Sequence, residues 1–472
     1  MKVLFAGAEA SPFAQTGGLG DVIGSLPPAL SKEGICASVI MPYYSFIKDE
    51  FKNDMELFGE LSFKYGWRNS DARVLKYNKD GTDYYFVDNG YYFNREKLYG
   101  EYDDGERFAF FSIAVLEFVI KFMPELDILH TNDWHTALCN VYLKTIYKDT
   151  PQLKKLKTIF TIHNIKYQGI YDISIKEDVF SIDEKDLHLL EYNSNINLLK
   201  GALVCADKIT TVSPRYKEEL KYDYFGFGLS ELIKKESQKI IGVLNGIDVN
   251  EFSPKGGEGI YHAFNRRDAV SGKRKNKEKL YAELKIDRST DSPLIIMVTR
   301  LSEEKGIDLI LHILEEVLIK DVQMIILGSG EECYERSFLE LSSKHDNLRF
   351  IQGFNKDLAK KLYASADIFI MPSKTEPCGL AQMIACLFGT VPIVRATGGL
   401  ADTIIPYGEE GSNGFVFENY NAHELLNKIN QALNLMKNKN KWRAMIQRCM
   451  NSDFSWRASA LKYIRIYKEL LD

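Results

Sequence analysis

The feature that most constrains this chain is a unit that recurs along it: a short apolar run ends at a glycine-rich or polar turn, and a helical pattern opens directly behind. Such units build open, mostly parallel sheets with helices on their faces. The first is Lys2-Val-Leu-Phe-Ala, followed by Phe13-Ala-Gln-Thr-Gly-Gly-Leu-Gly-Asp21. Gly17 and Gly18 are expected to allow backbone conformations closed to other residues and to let a ligand approach with no Cβ in the way. The helix behind them offers unpaired N–H groups to an anion. Thr16-Gly-Gly-Leu-Gly-Asp21 is answered near the other end by Thr397-Gly-Gly-Leu-Ala-Asp402. Two halves with such loops imply a ligand held between them.

Strands are expected at 3–6, 37–41, 84–87, 127–130, 158–163, 208–212 and 239–243, and helices at 21–32, 105–122, 136–147 and 214–220. Gly34 suits the stop of the first helix, which Pro27-Pro28 should bend or shorten. Leu244-Asn-Gly-Ile-Asp248 reads as a hinge, because Asn-Gly tolerates positive φ. A second series follows at 294–299, 322–327, 348–352, 368–371 and 391–395. Residues 454–471 carry apolar side chains at helical spacing, a terminal helix docking on a core. The expected domains are thus 1–246 and 247–453, with 454–472 as a terminal helix.

At 472 residues the chain exceeds one ordinary core, and its 45% hydrophobic and 26% charged residues are those of a globular protein. A net charge of −5 gives no reason to wrap a polyanion, so neither nucleic acid nor membrane is expected as a partner. The basic run Lys273–Lys279 reads as a solvated face. Seven scattered cysteines without Cys-x-x-Cys argue against disulfides and zinc and fit a reducing cytoplasm. No signal peptide or membrane span is expected, since the most apolar segment, 108–120, carries Glu117.

Four constellations carry chemistry, each behind an apolar run. Ser373-Lys-Thr-Glu-Pro-Cys-Gly-Leu380 brings a carboxylate, a rigid proline and a glycine to a helix start. Free amides there suit a phosphate, and Glu376 either grips a sugar hydroxyl, faces developing positive charge or caps the helix. Arg300 and Lys305, in Thr299-Arg-Leu-Ser-Glu-Glu-Lys-Gly306, would supply two cations for a diphosphate. No Asp-x-Asp pair for a divalent metal accompanies them, so Arg, Lys and amides would carry that charge and no metal or other cofactor is expected. His130-Thr-Asn-Asp-Trp-His135 and Thr161-Ile-His-Asn-Ile-Lys-Tyr-Gln-Gly169 offer the planar hydrogen-bonding groups and rings that carbohydrate recognition needs. A satisfied core histidine suits His130 or His135 better than a metal ligand. Neither Gly18-Leu-Gly20 nor Gly328-Ser-Gly330 completes a dinucleotide fingerprint.

Taken in order, these motifs, with Tyr102-Asp-Asp-Gly-Glu-Arg-Phe108, Thr211-Val-Ser-Pro214 and Leu244-Asn-Gly-Ile-Asp248, resemble the bacterial glycogen synthases, ADP-glucose-dependent relatives of plant starch synthases, over nearly the whole chain. The resemblance implies an α/β fold of two Rossmann-like domains facing across a deep cleft (GT-B type), the C-terminal helix crossing back to the first domain. It implies a retaining glucosyltransferase that moves glucose from ADP-glucose to the 4-hydroxyl of an α-1,4-glucan, glycogen or a maltooligosaccharide. On that likeness Arg300 and Lys305 bind the diphosphate, helped by the amides of Gly379 and Leu380. Glu376 contacts the transferred glucose, His163 lies by the anomeric centre, Asp133 and Asn245 lie near the donor sugar, and Phe354 stacks by the base. Gln15, Gly17, Gly18, Cys378, Thr397 and Gly398 complete the substrate contacts. The family's first motif usually begins with Lys where this chain has Gln15, a neutral amide in place of a cation. A two-domain glycosyltransferase that uses UDP-glucose or another acceptor, and a catalytically silent glucan-binding protein, are the alternatives at this stage.

Overall fold

The computed structural model describes all of residues 1–472, which fall into two compact units, Met1–Gly246 with Trp456–Asp472, and Ile247–Ser455.

The first unit is built on β1 (Lys2–Ala6), β2 (Cys36–Pro42), β3 (Glu56–Tyr65), β4 (Arg68–Lys79), β5 (Thr82–Asp88), β6 (Ile128–Asn132) and β7 (Lys157–Ile162). Further strands are β8 (Ile170–Asp172), β9 (Glu191–Tyr192), β10 (Asn195–Asn197), β11 (Lys208–Thr211) and β12 (Ile240–Gly242). Nine of them form one sheet in the order β12-β11-β7-β6-β1-β2-β5-β4-β3, and β8-β10-β9 form a small antiparallel sheet. The large sheet is parallel from β12 to β5, as the alternating pattern predicts, but ends in the antiparallel hairpin β3–β4, which the strand reading did not contain. Helix Asp104–Phe122 buries 14 of its 19 residues, and its Glu117 accepts a hydrogen bond from the Tyr147 hydroxyl at 2.6 Å. No helix is long and apolar enough to cross a membrane.

Helix Gly18–Lys32 runs unbroken through Pro27 and Pro28. Pro28 frees the carbonyl of Gly24 from its helical partner, and the Tyr84 hydroxyl donates to that oxygen at 3.4 Å. At the C-terminus Gly34 takes φ +88°, and the amides of Gly34 and Ile35 return to the carbonyls of Ser31 and Leu30, closing the helix as that glycine predicts. Helix Trp456–Leu471 packs on this helix. Its Tyr467 hydroxyl meets His130 Nδ1 at 2.8 Å, while His130 Nε2 meets Thr161 Oγ1 at 2.6 Å. Burial pushes His130 down to a pKa of about 3, so it is a neutral core residue that ties the terminal helix to the sheet.

The second unit holds one parallel sheet, β13 (Leu294–Val298), β14 (Gln323–Gly328), β15 (Leu348–Gln352), β16 (Ile368–Met371), β17 (Val391–Arg395) and β18 (Phe415–Phe417), in the order β15-β14-β13-β16-β17-β18. The basic run Lys273–Lys279 is not simply a solvated face. Helix Ala269–Leu284 turns Lys273, Asn276 and Lys277 inward. Lys277 pairs with Asp367 at 2.6 Å. Lys273 Nζ donates to the carbonyls of Tyr363 and Phe388 and to Thr390 Oγ1 at 2.7–3.0 Å, and burial pushes its ammonium down to about 7. The sequence pattern does not reveal these carbonyls, which tertiary packing alone brings to the lysine.

Candidate active site

In each unit the motif residues leave the C-terminal ends of strands where the order reverses, the place where open α/β sheets bind ligands. In the first unit β1 lies between β2 and β6, and the loop behind β1 carries Gln15, Gly17 and Gly18. The expectation of special glycine backbone is corrected here: Gly17 has an extended φ of −162°, and Gly18 is the first residue of the helix. A Cβ at Gly17 or Gly18 would meet nothing within 4 Å, so these glycines keep an exposed surface bare. Gln15 is also exposed, with its Nε2 reaching the Gly17 carbonyl at 3.4 Å.

The shape of this loop is set by a residue that motif reading overlooked. Glu9 is buried, and its carboxylate accepts from Thr16 N at 2.6 Å, Thr16 Oγ1 at 2.7 Å and the Tyr99 hydroxyl at 2.6 Å. The available signal was a lone carboxylate between an apolar strand and a glycine loop.

Behind β6, Asp133 sits at φ 54°, ψ −178°, a region almost confined to glycine. Its backbone N–H donates to the Thr161 carbonyl at 3.0 Å, and its Oδ1 accepts from His163 N at 2.7 Å. The strain therefore serves to hold a carboxylate across the ends of β6 and β7. Burial pushes the Asp133 carboxyl up to about 7, opposed by the hydrogen bonds from the His163 and Asn164 amides and reinforced by the charge of Glu9. Asn132 gives its amide hydrogens to the carbonyls of Ala6 and His130, so its Oδ1 must accept, and His163 Nε2 at 2.9 Å is the donor. Burial pushes His163 down to about 3, which leaves a neutral ring whose Nδ1 carries a lone pair. His135 stacks on Tyr99 at 4.5 Å and is likewise held neutral by burial. Asn245, at the end of the unit, is buried with its Oδ1 unpartnered.

In the second unit β13 lies between β14 and β16, and the loops behind β13, β16 and β17 interlock. Lys305 Nζ lies 2.6 Å from Glu376 Oε2, and Ser373 Oγ donates to the same oxygen at 3.0 Å. Gly306, at φ +70°, lets the lysine turn seat on the next loop, since a Cβ there would lie 2.2 Å from the Pro372 carbonyl oxygen. Gly398, at φ +43°, would put a Cβ 1.9 Å from the Glu376 carbonyl oxygen. The second Thr-Gly-Gly loop thus buttresses Glu376 rather than presenting a bare surface. Thr397, Gly398 and Cys378 are buried in that packing. Gly379 takes φ +73° at the turn into helix Ala381–Leu387, with Leu380 preceding the helix. Arg300 is exposed and forms no hydrogen bond or ion pair. Phe354 is 81% exposed in the loop behind β15. Lys305, Ser373 and Glu376 therefore form one cluster, whereas Phe354 stands on a separate loop of the same sheet edge.

Residues 2–235 match the model of the starch synthase catalytic domain, and residues 282–448 that of glycosyl transferases group 1. The chain is 42% identical to a glycogen synthase of Bacillus cereus (strain Q1), with all of each chain covered. It is 43% identical to one of Natranaerobius thermophilus, covering 100% of this chain and 97% of the relative. Among solved structures, the catalytic domain of starch synthase IV from Arabidopsis thaliana, bound to ADP and acarbose, superimposes with a TM-score of 0.92 at 31% identity, covering 100% of this chain and 99% of that one. Sucrose-phosphate synthase of Thermosynechococcus elongatus shares the fold alone, with a TM-score of 0.63 at 18% identity, covering 99% of this chain and 98% of that one.

Proposed function

The chain belongs to the glycogen synthase family of glycosyltransferases, of GT-B type, and on that premise we propose that it transfers glucose from ADP-glucose to the non-reducing 4-hydroxyl of an α-1,4-glucan, retaining configuration and releasing ADP. The observation that carries this reading is the Lys305–Glu376–Ser373 cluster, with the unpaired guanidinium of Arg300 on the same strand-end loop as Lys305. Arg300 and Lys305 take the charge of the diphosphate, assisted by the amides of Gly379 and Leu380. Glu376 holds the glucose being transferred, where positive charge develops at the anomeric carbon. Asp133, His163 and Asn245 line the sugar side of the donor, and Phe354 offers its exposed ring to the base.

The bond from the anomeric carbon to the diphosphate oxygen breaks as the bond to the acceptor oxygen forms on the same face. The departing phosphate oxygen receives the proton of the acceptor hydroxyl, so no protein nucleophile is needed. Charge neutralisation by Arg300 and Lys305 makes the reaction independent of a metal. The cytoplasm is the proposed site of action, a compartment suited to seven free thiols. The test is ADP release in EDTA with glycogen as acceptor, comparing ADP-glucose with UDP-glucose. Turnover with ADP-glucose is the expected result. Glycogen binding without turnover, or turnover with UDP-glucose alone, overturns the reading.

Gln15 affords a second check. Its side-chain stem packs against Gly20, where a Cβ would lie 2.9 Å from Gln15 Cγ, and its amide is exposed. A lysine shares that stem and adds a cation at the bare glycine surface. Gln15→Lys is expected to lower the KM for ADP-glucose about two- to fivefold. Its thermal stability should stay within about 0.5 kcal/mol of wild type. Donor saturation curves and melting curves measure both, and an unchanged or raised KM contradicts the placement of Gln15.

A further inference from the structure

The Gly328-Ser-Gly330 turn behind β14 completes no dinucleotide fingerprint, and its glycines have another use. The pairing of β13 with β14 continues past both strands. Thr299 N–H donates to the Leu327 carbonyl at 3.1 Å, Leu301 N–H to the Ser329 carbonyl at 2.8 Å, and Glu331 N–H to the Leu301 carbonyl at 2.8 Å. A Cβ at Gly328 would lie 2.0 Å from the Thr299 carbonyl oxygen, and one at Gly330 would lie 2.0 Å from that of Leu301. The turn therefore presses against the backbone on both sides of Arg300. Since the Arg300 side chain has no partner within the protein, this backbone contact is what places its guanidinium.

The same turn is tied to the loop that carries Phe354. Gly353, at φ +113°, donates its N–H to the Gly328 carbonyl at 3.0 Å. The second tie is Glu335, in the first turn of helix Glu332–Lys344. Its Oε1 accepts from Gly330 N at 2.8 Å, and its Oε2 accepts from Gln352 Nε2 at 2.7 Å. No cation competes for this carboxylate, because the adjacent Arg336 pairs with Glu332 instead. Both oxygens are given to neutral N–H groups of two different loops, and a charged acceptor strengthens such bonds. One side chain thus clasps the Arg300 side of the sheet edge to the Phe354 side.

We propose that Glu335 is a positioning residue for the donor nucleotide: it fixes the spacing between the arginine that meets the diphosphate and the ring that meets the base. The proposal rests on the reading of Arg300 and Phe354 as the two ends of the donor site. A nucleoside diphosphate is flexible between base and phosphate, and it binds more tightly when both contacts already stand at the required separation. Where the two loops move independently, each binding event must order them. Loss of the clasp is therefore felt in donor affinity, not in acceptor affinity or in kcat.

The experiment compares wild type with Glu335→Ala, Gln352→Glu and the double variant Glu335→Gln/Gln352→Glu, measuring ADP affinity by calorimetry, donor and glycogen saturation kinetics, and thermal melts. Glu335→Ala is expected to raise the Kd for ADP and the KM for ADP-glucose together, about three- to tenfold, with kcat changed less than about twofold and the KM for glycogen unmoved. Gln352→Glu sets two carboxylates against each other and should weaken ADP binding at least as much. The double variant exchanges donor and acceptor across the same contact and should recover most of the affinity, which a residue acting on the ligand by itself would not do. Wild-type ADP affinity in a folded Glu335→Ala variant overturns the clasp, as does a double variant that binds ADP no better than Gln352→Glu. Should Glu335→Ala fail to fold, the Gln352→Glu and double variants decide it. A wild type that binds ADP but transfers no glucose overturns the proposed reaction and leaves the clasp to be decided by the ADP affinities, whereas a wild type that binds no ADP overturns both.

Discussion

Glu376→Gln is expected to lower kcat/KM for glucosyl transfer about 100- to 1,000-fold while leaving the protein folded. The substitution keeps the side chain's volume and an acceptor for Lys305 and Ser373, which now meet at Glu376 Oε2 at 2.6 and 3.0 Å, but it removes the negative charge. One consequence follows from the proposed function and one from the geometry. The anomeric carbon loses its counter-charge as the diphosphate departs, and Lys305 loses the partner that fixes its ammonium. Removing one member of a buried ion pair costs several kcal/mol, but the Lys305 side chain is 19% exposed and water recovers part of that charge. The melting temperature should therefore fall by a few degrees while activity falls by orders of magnitude. Turnover at several donor concentrations beside a thermal melt separates the two effects, and wild-type kcat/KM in the folded variant contradicts the role.

Asp133→Asn is expected to cost about 100-fold or more in kcat/KM and to remove an acid limb from the pH profile. The Asp133 carboxyl titrates near 7 because burial and the charge of Glu9 outweigh the two amide hydrogen bonds. If the carboxylate is the active form, wild-type activity rises as pH increases through about 7, and the variant's residual activity lacks that rise. Stability moves the other way. The folded pKa lies above the unfolded one, so the acid's stabilising contribution is complete below about 4 and disappears as pH climbs toward 7. Asparagine has no such dependence, and the variant's melting temperature should gain on wild type from pH 4 to pH 7 and then level off. A pH profile of kcat/KM and a pH series of melts check both limbs; an acid limb retained in the variant assigns it to another group.

Much of the architecture was legible because a parallel strand buried on both faces is a continuous apolar run, and the turn behind it stands out in glycine and polar residues. Arg300, Lys305, Asp133, His163 and Glu376 all follow such runs. The hairpin β3–β4 was not legible, because Leu57 and Phe58 are exposed and clean inward–outward alternation begins only at Leu61. Glu9 was missed because its meaning lies in Tyr99, 90 residues away, and in the backbone of Thr16. The two Thr-Gly-Gly loops are near-identical as sequence and different in use. Gly17 and Gly18 have empty space where a Cβ would be, while Gly398 has the Glu376 backbone there. A glycine records that something prevents a side chain, and only its surroundings say whether that is a neighbouring loop or a ligand.

The most direct test of the account is transfer of labelled glucose from ADP-glucose into glycogen by the purified protein in EDTA, with the anomeric configuration of the new linkage read by digestion with an enzyme specific for α-1,4 bonds. The account predicts incorporated label that this digestion releases in full. Absence of incorporation, or a product resistant to that digestion, would contradict it.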